Sequence, residues 1–153
     1  MKFKLVDRIT DYRENKFITG IKTVSLEEYF LQRPLGIKNV FPPTLACEVL
    51  FQLANFLIFK SFTSKLGLLV MFREIHFPEQ IKAGDVINMK VQIKSIIEDQ
   101  VMLDGTGFVK GKMVIEGKGC VAKLFDIEKL VNPEKYSMLF NRLYIPEHQT
   151  LQQ

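Results

Sequence analysis

The chain has 153 residues, 47% apolar and 25% charged, which fits one globular domain with a sizeable core. A net charge of +4 with a pI of about 9.0 is a mild bias. It has no Lys/Arg run and no interleaved aromatics, which excludes a nucleic-acid arm and suits at most an acidic protein partner.

The opening MKFKLVDRI is too short and too charged for a secretory leader, so the expected compartment is the cytoplasm. No repeat, low-complexity segment or linker appears, so a single domain over residues 1–153 is expected, with a core at about 3–125. KFKLVDRITDYRENKFITGIKTVS reads as two short extended pieces around the turn-like RENK. SLEEYFLQRPLGIKNVFPP holds three prolines and one glycine, and reads as a loop preceded by one helical turn.

After Pro42 and Pro43 the helical signal is strong, because proline loses nothing at a helix start. TLACEVLFQLANFLIFKSF is about five turns without a breaker, apolar around most of its circumference, and predicts a buried helix. Its apolar stretch at residues 51–59 is interrupted by Gln52 and Asn55 and falls short of the roughly 20 residues of a membrane span. Thr44, Glu48, Gln52 and Asn55 follow i, i+4, i+8, i+11 spacing and form one polar stripe. A carboxylate on a buried helix must be paired, protonated or wet. Cys47 and Cys120 lack motif spacing and read as buried free thiols.

The remainder reads as sheet. LGLLVMFREIHF is an apolar run without caps. In DVINMKVQIK, Ile87, Met89, Val91 and Ile93 alternate with Asn88, Lys90, Gln92 and Lys94, the mark of a half-buried antiparallel strand. VMLDGTGFVKGKMVIEGKGCVAKLF predicts further strands, with turns at Asp104–Gly105 and Gly117–Gly119. Asn132 and Pro133 predict the cap and first position of a C-terminal helical extension over about 132–145. One long helix, about four strands after it and one or two before it make an α+β pattern, in which the sheet curves around the helix.

FKLVDRI, the helix Pro42-Pro43…Glu48…Gln52 and FPEQIKAGD at residues 77–85 together resemble the FabZ-type 3-hydroxyacyl-(acyl carrier protein) dehydratases, from about Phe3 to Leu124. Where that family has Met-Pro-Gly, then Glu, then Ala-Gln, this chain has Phe41-Pro42-Pro43, Glu48 and Phe51-Gln52. The family's Pro-Gly-Asp turn stands as Ala83-Gly84-Asp85. The resemblance implies the hot-dog fold, a curved antiparallel sheet wrapped around a central helix, built from dimers. It implies Glu48 as the catalytic carboxyl, with Phe41, Pro42, Pro43, Thr44 and Gln52 about the substrate, and neither metal nor cofactor. It also exposes a departure. The family's His-Phe-Pro-Gly histidine falls on Pro34, and no histidine occurs between residues 1 and 75.

Dehydration of a 3-hydroxyacyl thioester removes a Cα proton and expels the hydroxyl. A histidine suits the first step and a carboxyl in an apolar setting the second. Amides at a helix N-terminus can hold the thioester oxygen. In the family, the resemblance implies, histidine and glutamate come from opposite subunits. A homodimer of this chain would hold two Glu48 and no such histidine, whereas a homologous partner would supply it. His76 is the nearby candidate to replace that histidine, but reads rather as a strand-end residue facing solvent or the sheet edge, and His148 as part of a polar tail. Two other readings stand beside this one. In the first, Glu48 is the general base of an acyl thioesterase. In the second, the chain is a non-catalytic subunit binding acyl chains or carrier, with Arg33, Lys38 and Lys22 meeting an acidic carrier protein or the thioester being carried on coenzyme A.

Overall fold

The computed structural model describes residues 4–26 and 40–146. Helix α1 (Pro43–Ser61) begins where the proline pair predicts, with Pro42 as its N-cap. Two strands precede it, β1 (Arg8–Arg13) and β2 (Phe17–Thr23), joined through Asn15 in the left-handed region (φ 58°). After it come β3 (Lys65–Met71), β4 (Glu74–His76), β5 (Val86–Ile97), β6 (Gln100–Val109), β7 (Lys112–Asp126) and helix α2 (Pro133–Leu143). The predicted loop at residues 27–39, with Arg33, Pro34 and Lys38, lies outside the described residues, as does His148.

The seven strands form one antiparallel sheet in the order β1-β2-β5-β6-β7-β3, with β4 also on β7. Five strands follow α1 where about four were expected, because the apolar run at residues 66–77 divides into β3 and the three-residue β4. The alternation in β5 holds: Ile87, Met89 and Val91 are buried while Asn88, Lys90 and Gln92 are exposed. The sheet wraps α1, and strand glycines set how closely the helix lies. A Cβ on Gly20 would fall 2.9 Å from Leu53 Cδ1, and one on Gly67 would fall 2.7 Å from Ile58 Cδ1.

Two predicted turns are corrected. Asp104–Gly105 lies inside β6 and Gly117–Gly119 inside β7, and they face each other across a bulge. There the Gly119 N–H donates to Asp104 Oδ1 (2.9 Å) with Gly119 at φ +58°, while Gly105 is seated beneath Leu50. The β6–β7 turn is instead Lys110–Gly111, both left-handed (φ 48° and 78°), as a two-residue hairpin requires.

The C-terminal helix starts as predicted. Asn132 Oδ1 accepts the Lys135 N–H (2.9 Å), and Pro133 opens the helix. Its buried Tyr136, Phe140 and Leu143 close the side of α1 that the sheet leaves open; Tyr136 stacks on Phe56 with ring centroids 5.1 Å apart. The segment after it runs along β1, where the Ile145 N–H donates to Ile9 O (3.0 Å) and Arg8 Nε donates to Ile145 O (3.1 Å). That edge of the sheet is thereby covered. The opposite edge, at β3, leaves Leu68, Val70 and Met71 exposed. By length and composition α1 could cross a bilayer, yet half of its most apolar stretch is buried within the fold, the position of a core helix.

Candidate functional site

The polar stripe of α1 lies on one flank of the helix, between the N-terminal segment and β3. Gln52, 3% exposed, sits at its centre. Its Oε1 accepts the Leu5 N–H (2.9 Å) and its Nε2 donates to Glu48 Oε1 (3.1 Å). Both ends of the amide are therefore engaged, and Gln52 holds the carboxylate rather than facing open space. Asn55 Oδ1 accepts the Gly67 N–H on β3 (2.8 Å) and ties the same flank to the open edge. Glu48 is exposed and paired with Gln52, two of the three settings open to a carboxylate on this helix. Only the N-terminal part of the stripe, Thr44 and Glu48, is exposed, while Gln52 is buried and Asn55 half-buried.

The start of α1 offers few donors. Pro42 and Pro43 have no N–H, and the Leu45 and Ala46 amides already donate to Pro42 O (3.0 and 3.1 Å). The Thr44 amide is the first-turn donor left over, and the Thr44 side chain is exposed. Phe41 is a core residue, its N–H donating to Ile81 O (2.8 Å). With Pro43, Phe77 and Pro78 it lines a groove of about 180 Å³ beside the helix start.

Next to the stripe, between α1 and the sheet, lies an apolar cavity of about 30 Å³, room for about one water molecule. Cys47 and Phe51, each preceding a stripe residue, line it, with Cys120 opposite and Leu69 and Phe72 at the β3 end. Both thiols are free and half-buried. Burial pushes the Cys47 thiol up, and burial with the nearby Asp104 charge pushes Cys120 up to about 11, so both are protonated and inert at neutral pH. The sequence marked the two cysteines as buried thiols but not as walls of one cavity. The signal was their side of the helix: Cys47 and Phe51 stand at i, i+4 beside Glu48 and Gln52.

His76 is exposed on β4, with its Nε2 3.6 Å from Glu74 Oε2. Lys22 is not a surface cation; it is 4% exposed, with its Nζ 3.7 Å from Asp7 Oδ2, because β2 turns it to the covered face.

The FabA-like domain matches residues 1–118 of the chain. The 3-hydroxyacyl-[acyl-carrier-protein] dehydratase FabZ of Escherichia coli O9:H4 is 34% identical over 119 residues, covering 74% of this chain and 78% of that protein. A hot-dog-like protein from Thermanaerovibrio acidaminovorans superposes with a TM-score of 0.63 at 16% identity, covering 86% of this chain and 93% of its own. The fluoroacetyl-CoA thioesterase FlK superposes at 0.65 with 10% identity, covering 84% and 97%. These likenesses account for a single buried helix inside a curved antiparallel sheet, and the sequence match runs through the stripe that carries Glu48. The chain has the hot-dog fold and belongs to the FabA-like family.

Proposed function

We propose that this chain is the glutamate-bearing subunit of a dehydratase-type dimer acting on 3-hydroxyacyl thioesters, and that the histidine comes from a homologous partner. The observation that carries this reading is Glu48 itself. It is exposed, oriented by a buried glutamine, and placed on the flank next to an open apolar strand edge, while the described histidine, His76, lies against Glu74. A partner pairing along β3 covers Leu68, Val70 and Met71 and encloses Glu48, which supplies the apolar setting that the chain alone lacks. In this reaction the partner's histidine takes the Cα proton. Glu48 protonates the departing hydroxyl, the C–O bond breaks, the C=C bond forms, and water leaves. The Thr44 amide is the donor available to the thioester oxygen.

The test is dehydration of a 3-hydroxyacyl thioester by the protein alone and mixed with a FabZ-type homologue whose own catalytic glutamate is replaced by glutamine, so that only mixed dimers hold a complete site. The expected result is little turnover alone and activity in the mixture, which Glu48→Gln lowers about 10²- to 10⁴-fold. Unchanged activity of the mixture with Glu48→Gln overturns the reading. A second reading is favoured by the wet carboxylate and by the likeness to a thioesterase: Glu48 as the general base of thioester hydrolysis. Steady hydrolysis by the isolated protein, abolished in Glu48→Ala, decides for it.

A further inference from the structure

Helix α2 lies beyond residues 1–118, and the reaction above gives its outer face no role. Its inner face is fully engaged. Tyr136 meets Phe56 and Phe59 and Phe140 meets Tyr12, with ring centroids 5.1–5.2 Å apart, and the Asn132 cap fixes the first turn. Phe59 follows Glu48 and Gln52 at i+11 and i+7, so α2 is seated at the far end of the flank that presents the carboxylate.

The outer face has a definite pattern. Met138 is 71% exposed. Lys135 stands one turn before it and Arg142 one turn after it, and with Leu139 they line a shallow groove of about 580 Å³. Six lysines, Lys22, Lys65, Lys94, Lys118, Lys123 and Lys129, each have a carboxylate within 3.8 Å, whereas Lys16, Arg73, Lys82, Lys110 and Lys112 have none among the described residues. Among the described residues neither Lys135 nor Arg142 has one. An exposed methionine between two unpaired cations, on a helix held rigid from behind, is complementary to an acidic surface with an apolar side chain at its centre.

We propose that the Lys135–Met138–Arg142 face of α2 is the docking surface for the acidic carrier protein that delivers the acyl thioester; this rests on the thioester reading above. A second copy of the chain fits worse, because it sets cation against cation. Two cations also fall short of the roughly four to eight that mark a lipid-binding cluster. Phe56 and Phe59 lie 8 and 11 residues beyond Glu48, about 12–17 Å along the helix axis. The carrier therefore docks away from the site, and its flexible pantetheine arm spans the gap.

The test titrates purified holo acyl carrier protein into the full chain and into Lys135→Glu/Arg142→Glu, at several salt concentrations. The double variant is expected to bind at least about tenfold more weakly and to lose most of the salt dependence, with Met138→Ala weaker by several-fold. Equal binding by the double variant, or no carrier binding by the unaltered chain, overturns the docking surface. So does anionic-vesicle binding that the double variant abolishes while carrier binding persists, which assigns the face to a membrane. Turnover of a coenzyme A thioester separates the two readings, since that substrate brings no protein to dock. Such turnover without charge-sensitive carrier binding keeps the reaction and removes the docking surface. Charge-sensitive binding without turnover of either thioester does the reverse.

Discussion

Gln52→Leu tests whether the stripe is a held array or a row of coincidental polar side chains. Leucine fills a similar volume, so the change is in hydrogen bonding rather than packing. Leu5 is buried, and its N–H loses the partner it has at 2.9 Å. An unsatisfied buried donor costs about 1–3 kcal/mol. The lost bond to Glu48 is partly exposed and adds up to about 1 kcal/mol, and burial of two more apolar carbons offsets about as much. The net expectation is about 2 kcal/mol, read as a lower urea midpoint at constant m, or as a Tm about 4–8 °C lower. Glu48→Gln is the control. Its site is exposed, so its stability should stay within about 0.5 kcal/mol of the parent while its effect on chemistry is large. A Gln52→Leu protein as stable as the parent refutes the argument that Leu5, Gln52 and Glu48 form one network.

Burial pushes the Tyr136 phenol above its ordinary value, and its hydroxyl has no hydrogen-bond partner. The unfolded chain releases that proton near pH 10 while the folded chain keeps it, so stability is full below about pH 10 and falls as pH rises above it. Tyr136→Phe should flatten that alkaline loss and leave neutral stability equal or higher; an unchanged alkaline limb in urea melts counts against it. Gly20→Ala should cost about 1–3 kcal/mol, because the added Cβ meets Arg8 O at 2.7 Å and Leu53 at 2.9 Å; a parental urea midpoint sinks this reading of the helix contact. Cys47 and Cys120 should react with a chromogenic disulfide at neutral pH only slowly in the folded protein and rapidly in denaturant; a fast two-thiol burst in the native state contradicts their protonated, half-buried setting. Val70→Lys on the open edge of β3 should abolish association with a homologous partner, read by sedimentation, without loss of fold; undiminished association moves the interface elsewhere.

The elements legible in the sequence are those fixed by local chemistry. The proline pair, the unbroken apolar helix, the alternation in β5 and the Asn132-Pro133 start each specify their structure within a few residues. Asp104–Gly105 misleads because glycine has two uses. It serves turns by its backbone freedom, but here it serves a long-range approach, leaving room for Leu50 of α1. No local pattern distinguishes the two. The site divides in the same way. Spacing alone places Glu48, Gln52 and Asn55 on one face of the helix. Which of them is buried depends on where the sheet and α2 stop. Of the settings that spacing leaves open, Glu48 takes the exposed one, and the buried place goes to Gln52, the residue that meets Leu5.

The C-terminal extension bears on the same question. A curved sheet has two edges, and each exposed edge invites another chain. Residues 144–146 remove one of them by bonding along β1. What remains is β3, whose apolar exposure is out of keeping with a surface meant to stay in water. Beside it lie the cavity and the stripe that ends in an exposed carboxylate, tied to β3 through Asn55 and Gly67. In the proposed dimer the partner pairs along the other edge, and that pairing alters the medium around Glu48. In the proposed reaction the site is therefore completed by the partner rather than by this chain alone.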